Sequence, residues 1–408
     1  MPQSSSKTWV SAALALLLVG WGANQFASLL PFYQGAYGFS QLSVNSMLGV
    51  YVAGLIPALL VGGRFSDRLG RKGASVLALL LTMVASATMI IGASSELMLY
   101  VGRLLAGVAT GVAMAATSSW VKELSQPPWN TQAAEGSGAR RASLFTAAGF
   151  LMGPVVSGVI ANFAPAPQIL PYVTHIVLCL PFVAILARVP ETRAGDLCST
   201  AGPAASTKEA YPGASRRFRR VVAPGAPWVF GAGTVGFAVV PGLLDLGEHQ
   251  LLYATTAVAL TLGSGVLVQP LARRLSTTES ARASLTAMGV TVLGLVAAAA
   301  TAMLQNLWLG LLASILLGTG YGLMLVAGMM ETQLATAPEH LGSAMGAFYT
   351  LAYAGFLAPT VLAFFAQWTS ETALLVAMVG LAVISFVVML FNSTKHLSSH
   401  APQHTTTG

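Results

Sequence analysis

Arg103, His175, Asp245 and Glu331 are ionisable side chains set inside, or at the edge of, long apolar runs in a 408-residue chain where charged residues are only 8%. Such positions are costly, so each is a candidate for work. A carboxylate or imidazole there can take up and release a proton, and a fixed cation can tune that exchange. Glu331 ranks first as a proton carrier, Asp245 second and His175 third. Arg103 lies several residues inside its run, where a cation costs at least about 2.5 kcal/mol unless it is paired or faces water. Its alternative role is a side chain snorkelling to the headgroups. Bond-making chemistry is not indicated. The sequence has no Walker-type phosphate loop and no His, Cys, Asp and Glu set at metal-ligand spacing inside the runs, so neither an enzyme, a metal nor a cofactor is expected.

The elements that must hold these side chains follow from composition. At 55% hydrophobic residues, the chain carries more apolar surface than a soluble domain of this length can bury. It divides into twelve apolar runs of about 20 residues, the length that crosses a bilayer core as a helix. They fall near 9–31, 44–63, 74–94, 99–121, 142–163, 170–188, 227–245, 250–269, 283–303, 306–330, 342–366 and 371–392. Continuous Leu-, Ala- and Gly-rich runs favour helices over a barrel, whose strands alternate. The first run is too long for a cleaved signal peptide and reads as a retained span.

With the N-terminus inside, nineteen of the twenty Lys and Arg residues fall in cytoplasmic segments or at their edges, and Arg103 is the exception. The net charge of +7 is therefore a topology signal and a contact for anionic headgroups rather than a nucleic-acid surface. Both termini are expected in the cytoplasm, the chain in a bacterial cytoplasmic (inner) membrane. Cys179 and Cys198 fall in a span and in a cytoplasmic loop, so no disulfide framework is indicated.

Residues 189–226 are the long polar stretch inside the chain and read as a cytoplasmic linker between an N-terminal six-helix bundle, 1–188, and a C-terminal one, 227–393. Residues 394–408 read as a disordered cytoplasmic tail. The halves echo one another. GVATG at 107–111 recurs as GTGYG at 318–322, and GFLMGP at 149–154 as GFLAP at 355–359. Gly63, Arg71 and Lys72 pair with Gly265, Arg273 and Arg274 at an offset of 202. Duplicated halves are the usual architecture of secondary transporters.

The stretch GGRFSDRLGRK at 62–72 carries five charges between two apolar runs. Its Gly63, Asp67, Arg68, Gly70, Arg71 and Lys72 resemble the signature loop of the major facilitator superfamily. Arg103, Gly107 and Gly111 resemble a second motif of that superfamily. Gly149, Gly153, Pro154 and Gly158 resemble the Gly-Pro motif of its proton-driven antiporters, with Ser157 where a Gly is usual. The resemblance implies twelve helices in two pseudo-symmetric bundles, a drug:proton antiporter type, and a proton-coupling role for Arg103. It also implies that Asp67 latches the cytoplasmic side against the start of span eleven near Leu341. The plain alternatives are that the charges only set topology and that the small residues only pack helices.

Polar and aromatic residues in the spans that face the centre of this fold are candidates for a substrate cavity: Trp21, Asn24, Gln25, Tyr51, Met114, Tyr321, Met324, Phe348, Tyr349 and Tyr353. Such a surface suits hydrophobic ligands. The leading expectation is a monomeric, proton-driven exporter of hydrophobic or amphipathic small molecules. Uptake of a small metabolite, a lipid flippase and a non-transporting receptor are the alternatives.

Overall fold

A computed structural model describes residues 8–134, 136–192, 216–336 and 340–395. The described residues form helices and no strands. Among the described residues, eleven helical stretches are long and apolar enough to cross a membrane, and the longest, Gln41–Ile91, is two helices. Gly70 divides it with φ +83° and ψ 160°, a conformation that only glycine adopts without strain. The chain reverses there. Met47 and Tyr51 lie beside Arg103 and Gly107, whereas Met89 and Ser75 lie beside Gly102 and Thr117, so one arm runs with the following helix and the other against it.

The twelve helices are α1 (Thr8–Tyr37), α2 (41–69), α3 (71–91), α4 (Glu96–Leu124), α5 (Ser137–Phe163), α6 (Leu170–Arg188), α7 (Phe218–Leu243), α8 (Gly247–Leu275), α9 (Arg282–Leu304), α10 (Leu307–Leu334), α11 (Leu341–Phe365) and α12 (Glu371–Asn392). They match the twelve expected runs. The main difference is α7, which begins at Phe218, so residues 218–226 are helical rather than part of the linker. Residues 193–215 of that linker, and the tail from 396, lie outside the described residues.

Several helices are broken where the sequence removes backbone bonds. In α1, Pro31 lacks an N–H and its ring crowds the carbonyl four residues earlier, and the helix gives way after Asn24 to a tighter turn at Ala27–Leu29. In α11, Pro359 follows a similar turn at Gly355–Leu357.

Glycines set the helix pairing, and they do so twice. Gly107 and Gly111 of α4 lie against the Tyr51 and Leu55 carbonyls of α2, while Gly318 and Gly322 of α10 lie against the Thr261 and Gly265 carbonyls of α8. A Cβ at any of the four would overlap its neighbour. Gly149 of α5 meets Leu17 of α1 in the same way, and Gly355 of α11 meets Pro227 and Gly231 of α7. The duplication read from sequence is therefore a duplication of packing, with one correction. Gly265 takes the place of Leu55, not of Gly63, which lies mid-helix with open space where a Cβ would stand. The offset of 202 was a slip of register.

The bundles α1–α6 and α7–α12 meet toward one end. Asn45 Nδ2 donates to Pro359 O at 3.3 Å and Thr360 Oγ1 to Asn45 O at 3.0 Å, each closing on the other's backbone. Asn162 Nδ2 donates to Thr255 Oγ1 at 3.3 Å, and Gly158 packs on the same Thr255. At the opposite end, which bears the basic loops, Leu60, Val61 and Leu69 of α2 stand at least half exposed. Gly342 and Gly346 of α11 face open space there. The seam is sealed at one end and parted at the basic one.

Candidate functional site

Where the two bundles meet near mid-chain of α1, α2, α5, α7, α8, α10 and α11, a cavity of about 30 Å³ is lined by Asn24, Tyr51, Phe150, Phe230, Gly233, Thr234, Phe237, Leu262, Tyr321, Tyr353 and Phe356. Seven of these eleven are aromatic. Their rings fill the space: Phe230 stacks on Tyr353 with centroids 4.6 Å apart, lies 4.9 Å from Phe356 and 5.8 Å from Tyr321, while Tyr51 approaches Phe356 at 6.1 Å. A volume of this size holds about one water, so a larger guest requires the rings to turn aside.

Asn24, Tyr51, Tyr321 and Tyr353 stand where the sequence expected them. Tyr349 stacks on Tyr353 at 6.3 Å, and Met114 takes the Tyr353 hydroxyl at 3.7 Å, so both border the site. Trp21 and Gln25 are buried inside the N-terminal bundle: the backbone of Trp21 supports Gly153, and Gln25 bonds Ser86. Met324 and Phe348 belong to the core of the C-terminal bundle, against Gly225 and Gly328. Phe150, Phe230, Phe237 and Phe356 were missed. Phe150 and Phe356 follow the two echoed glycines, so the repeat that revealed the packing also marked a symmetric pair of lining rings.

Arg103 is 1% exposed, about 10 Å along α4 from its start at 1.5 Å per residue. It does not snorkel. Its Nη1 donates to Ala23 O at 2.7 Å, at the break in α1, and its Nε to Met47 O at 3.3 Å. Its guanidinium lies 4.6 Å from the Tyr51 centroid and 5.1 Å from Phe26. Charge-assisted hydrogen bonds contribute about 1.5–3 kcal/mol each, and a desolvated cation–π contact about 2 kcal/mol. Together these offset the roughly 2.5–3.5 kcal/mol cost of placing the cation there. Tyr51 is shared: its ring lines the cavity and also carries Arg103, which links the cation to the cavity.

The three candidate proton carriers have different surroundings. Glu331 is buried near the end of α10 and paired with Arg217 by bonds of 2.7 and 2.9 Å, and Arg217 reaches on to Ser393 O and Lys395 O at 3.2 Å each. It ties α10 to the start of α7 and the end of α12. Asp245 is exposed in the turn after α7, its carboxylate taking the Gly247 N–H at 3.2 Å, away from the cavity lining. His175 is fully buried between α1, α3 and α6.

The sequence profile of the Major Facilitator Superfamily matches residues 12–360. The chain belongs to the major facilitator superfamily. It is an integral membrane transporter of that superfamily rather than an enzyme. A similar solved structure is a POT family transporter in complex with 5-aminolevulinic acid (TM-score 0.78, 12% identity, 98% of this chain and 99% of that one). Others are a mutant of the nucleoside transporter NupG (0.74, 11%, 95% and 99%) and the inward-open xylose transporter XylE from E. coli (0.67, 14%, 95% and 96%). These likenesses show the fold. A curated relative, a probable polyol transporter 4 from Arabidopsis thaliana, is 27% identical over 114 residues, 28% of this chain and 22% of the relative, so the chain spans about a fifth of that protein's length in the match.

The loop at 62–72 that resembles the superfamily's signature is built as a tie between helix ends. Gly70 makes the reversal, and the Glu191 carboxylate takes the exposed N–H groups of Arg71 at 3.0 Å and Lys72 at 2.9 Å, capping α3. Arg71 Nε bonds Glu123 of α4 at 3.0 Å, its Nη1 donates to Ser66 at 2.8 Å, and Glu123 also accepts from Thr192. Lys72 reaches Ala187 O at 3.1 Å, and Asp67 pairs with Arg71 at 3.4 Å. Arg68 is exposed. Glu123 and Glu191 were missed, since nothing near them in sequence shows that they converge on residue 71. In the Gly-Pro motif, Gly149 and Gly153 seat α5 on α1, Pro154 offers its carbonyl to Ser28 at 2.6 Å, and Gly158 makes the contact between bundles.

Proposed function

We propose that this transporter exports hydrophobic or amphipathic small molecules, such as drugs or secondary metabolites, in exchange for protons, by rocking its two bundles about the aromatic cavity. The observation that supports this reading is the lining. A site for a polyol, nucleoside or peptide must answer many polar groups at fixed positions, and a buried polar group left unanswered costs about 1–3 kcal/mol. This lining offers one amide, one threonine hydroxyl and three phenols among four Phe rings, with no carboxylate, lysine or arginine. Stackable rings suit flat apolar molecules and lipophilic cations. Arg103, held on the carbonyl at the break in α1 and against a lining ring, is placed to sense both a guest and the hinge of α1.

In this reading the basic loops face the cytoplasm of a bacterial cell, both termini lie there, and the parted end is the cytoplasmic one. The transporter works as a monomer among lipids, driven by the proton gradient with no cofactor. The match to a polyol transporter supports the rival reading, proton-coupled uptake of a small polar metabolite. The test uses liposomes carrying the protein and a trapped pH dye, with a proton gradient imposed and ethidium, tetraphenylphosphonium and neutral antibiotics added in turn. Compound-dependent proton flux that Arg103→Ala abolishes supports export by antiport. Flux with sugars or polyols alone sinks it.

A further inference from the structure

The N-terminal bundle holds orphaned polar atoms, two of them at one place. The Trp21 indole N–H, Gln25 Oε1 and Thr82 Oγ1 are buried without a hydrogen-bond partner, although such groups cost about 1–3 kcal/mol each and are rare in native folds. Gln25 lies one turn after Gly22, at the break of α1. A Cβ on Gly22 would strike Thr82 and the His175 ring together, and Gln25 reaches the same ring through Ser86, so these groups share one crevice between α1, α3 and α6.

His175 sits at its centre in a defined chain of bonds. Its Nε2 lies 3.0 Å from Leu18 O, and a carbonyl can only accept, so Nε2 carries a hydrogen. Its Nδ1 lies 2.9 Å from Ser86 Oγ, which in turn receives Gln25 Nε2 at 2.9 Å. With the ring neutral, every bond runs one way: the Gln25 amide donates to Ser86, Ser86 donates to Nδ1, and Nε2–H donates to Leu18. With a proton on Nδ1 the same atoms serve in reverse. The imidazolium donates to Ser86 Oγ, Ser86 turns its hydroxyl to Gln25, and a flip of the amide presents Oε1 to receive it. A serine hydroxyl reverses polarity by turning its hydrogen alone, and a primary amide does so by a half-turn that exchanges its oxygen and nitrogen in place.

We propose that His175 is the proton-binding group of this transporter, and that the Ser86–Gln25 chain lets its ring be neutral in the sealed state described here and charged in the alternate one. The inference rests on the proton-coupled reading above and names the site of that coupling. The groups facing the ring are Leu18 O, Gly22 and Gln25 from α1, Thr82 and Ser86 from α3, and Cys179, whose Sγ is 3.4 Å from Nε2, on its own helix. Tyr172, one turn earlier and bonded to Tyr33 at 3.0 Å, and the Arg103 cation beyond Ala23 complete the ionisable neighbourhood. Among the described residues no carboxylate bonds to His175. The proton arrives on Nδ1 from water and leaves from the same atom. Gln25 couples its passage to α1, because the next residue back, Asn24, lines the cavity and Ala23 holds Arg103.

The test is nitrogen-15 NMR of histidine-labelled full-length protein in nanodiscs at pH 6, with His175→Gln identifying the signals. One sample is sealed by a disulfide made through Asn45→Cys and Thr360→Cys, and the other has the seal removed by Asn45→Ala and Thr360→Val. The expected result is a neutral Nε2–H ring when sealed and a doubly protonated ring when the seal is gone, with the charged form lost in Ser86→Ala and Gln25→Leu. A neutral ring in both samples overturns the proposal, and so does a charged ring that ignores both chain variants. In liposomes with ethidium as probe, His175→Gln should lose the ethidium-dependent proton flux, and unchanged proton flux overturns the assignment. A wild-type protein that does not move ethidium counts against the substrate reading alone, because the NMR experiment contains no substrate.

Discussion

The Arg217–Glu331 pair gives a prediction whose size follows from its geometry. Both side chains are nearly excluded from solvent, at 3% and 6%, and are joined by bonds of 2.7 and 2.9 Å. Removing one partner strands a buried charge, which costs about 3–5 kcal/mol. Removing both for apolar groups of similar size strands none, so Arg217→Met with Glu331→Leu should cost less than either single change. Arg217 also holds Ser393 O and Lys395 O, so the double variant still loses that tie of α12. Unfolding in detergent, followed for Arg217→Met, Glu331→Leu and the double variant, yields the coupling energy directly, expected at about 2–3 kcal/mol. Single losses below about 1 kcal/mol that simply add would mark a solvated surface pair and refute the reasoning. The same variants separate stability from coupling. Glu331→Gln that remains folded should keep its compound-dependent proton flux, and complete loss of flux would return Glu331 to the head of the proton carriers.

Three further outcomes are expected. Asn45→Ala with Thr360→Val removes two hydrogen bonds of about 1 kcal/mol each, shifting the balance between the sealed and open forms of that end by about thirtyfold; spin-label distances between α2 and α11 that do not lengthen would contradict the seal. Gly107→Val and Gly318→Val each force a side chain into a neighbouring backbone and should destabilise by about 1–3 kcal/mol or more, whereas Gly63→Ala, facing open space, should behave as wild type in size-exclusion profiles after heating. Glu191→Ala uncaps α3 and should cost about 0.5–2 kcal/mol in the same unfolding assay, with a value near zero showing that the bonds to Arg71 and Lys72 contribute nothing.

Much of the fold was legible because the bilayer imposes it. Twelve apolar runs of spanning length, with Gly70 and the prolines as breaks, carry their own boundaries. What required the third dimension was convergence. Glu123 and Glu191 lie far from residue 71 in sequence, and only packed helix ends bring Glu123 to its guanidinium and Glu191 to its backbone N–H. Phe230 belongs to no motif, and its place in the cavity comes from the turn of α7 toward α11. The slip that matched Gly63 with Gly265 has a physical origin: glycine recurs wherever helices approach closely, and only its neighbour, Gly322 rather than a loop, shows which glycine is equivalent. Asp245 was expected at the outer end of a span, but Pro241 and a tight final turn end α7 at Leu243, which leaves it in the exposed turn. Asn24, Tyr51, Tyr321 and Tyr353 were found because polar or phenolic side chains near the middle of central spans have few other places to go.

The central claim is that the rings around Phe230 form the substrate site. Equilibrium binding of tetraphenylphosphonium to the purified transporter, wild type against Phe230→Ala and against the distant ring variant Trp368→Ala, tests it most directly. The account predicts saturable binding, altered at least tenfold by Phe230→Ala and left unchanged by Trp368→Ala, whose ring is exposed beyond the end of α11. Binding that ignores Phe230, or a wild-type protein that binds polyols and not the lipophilic cation, would contradict it.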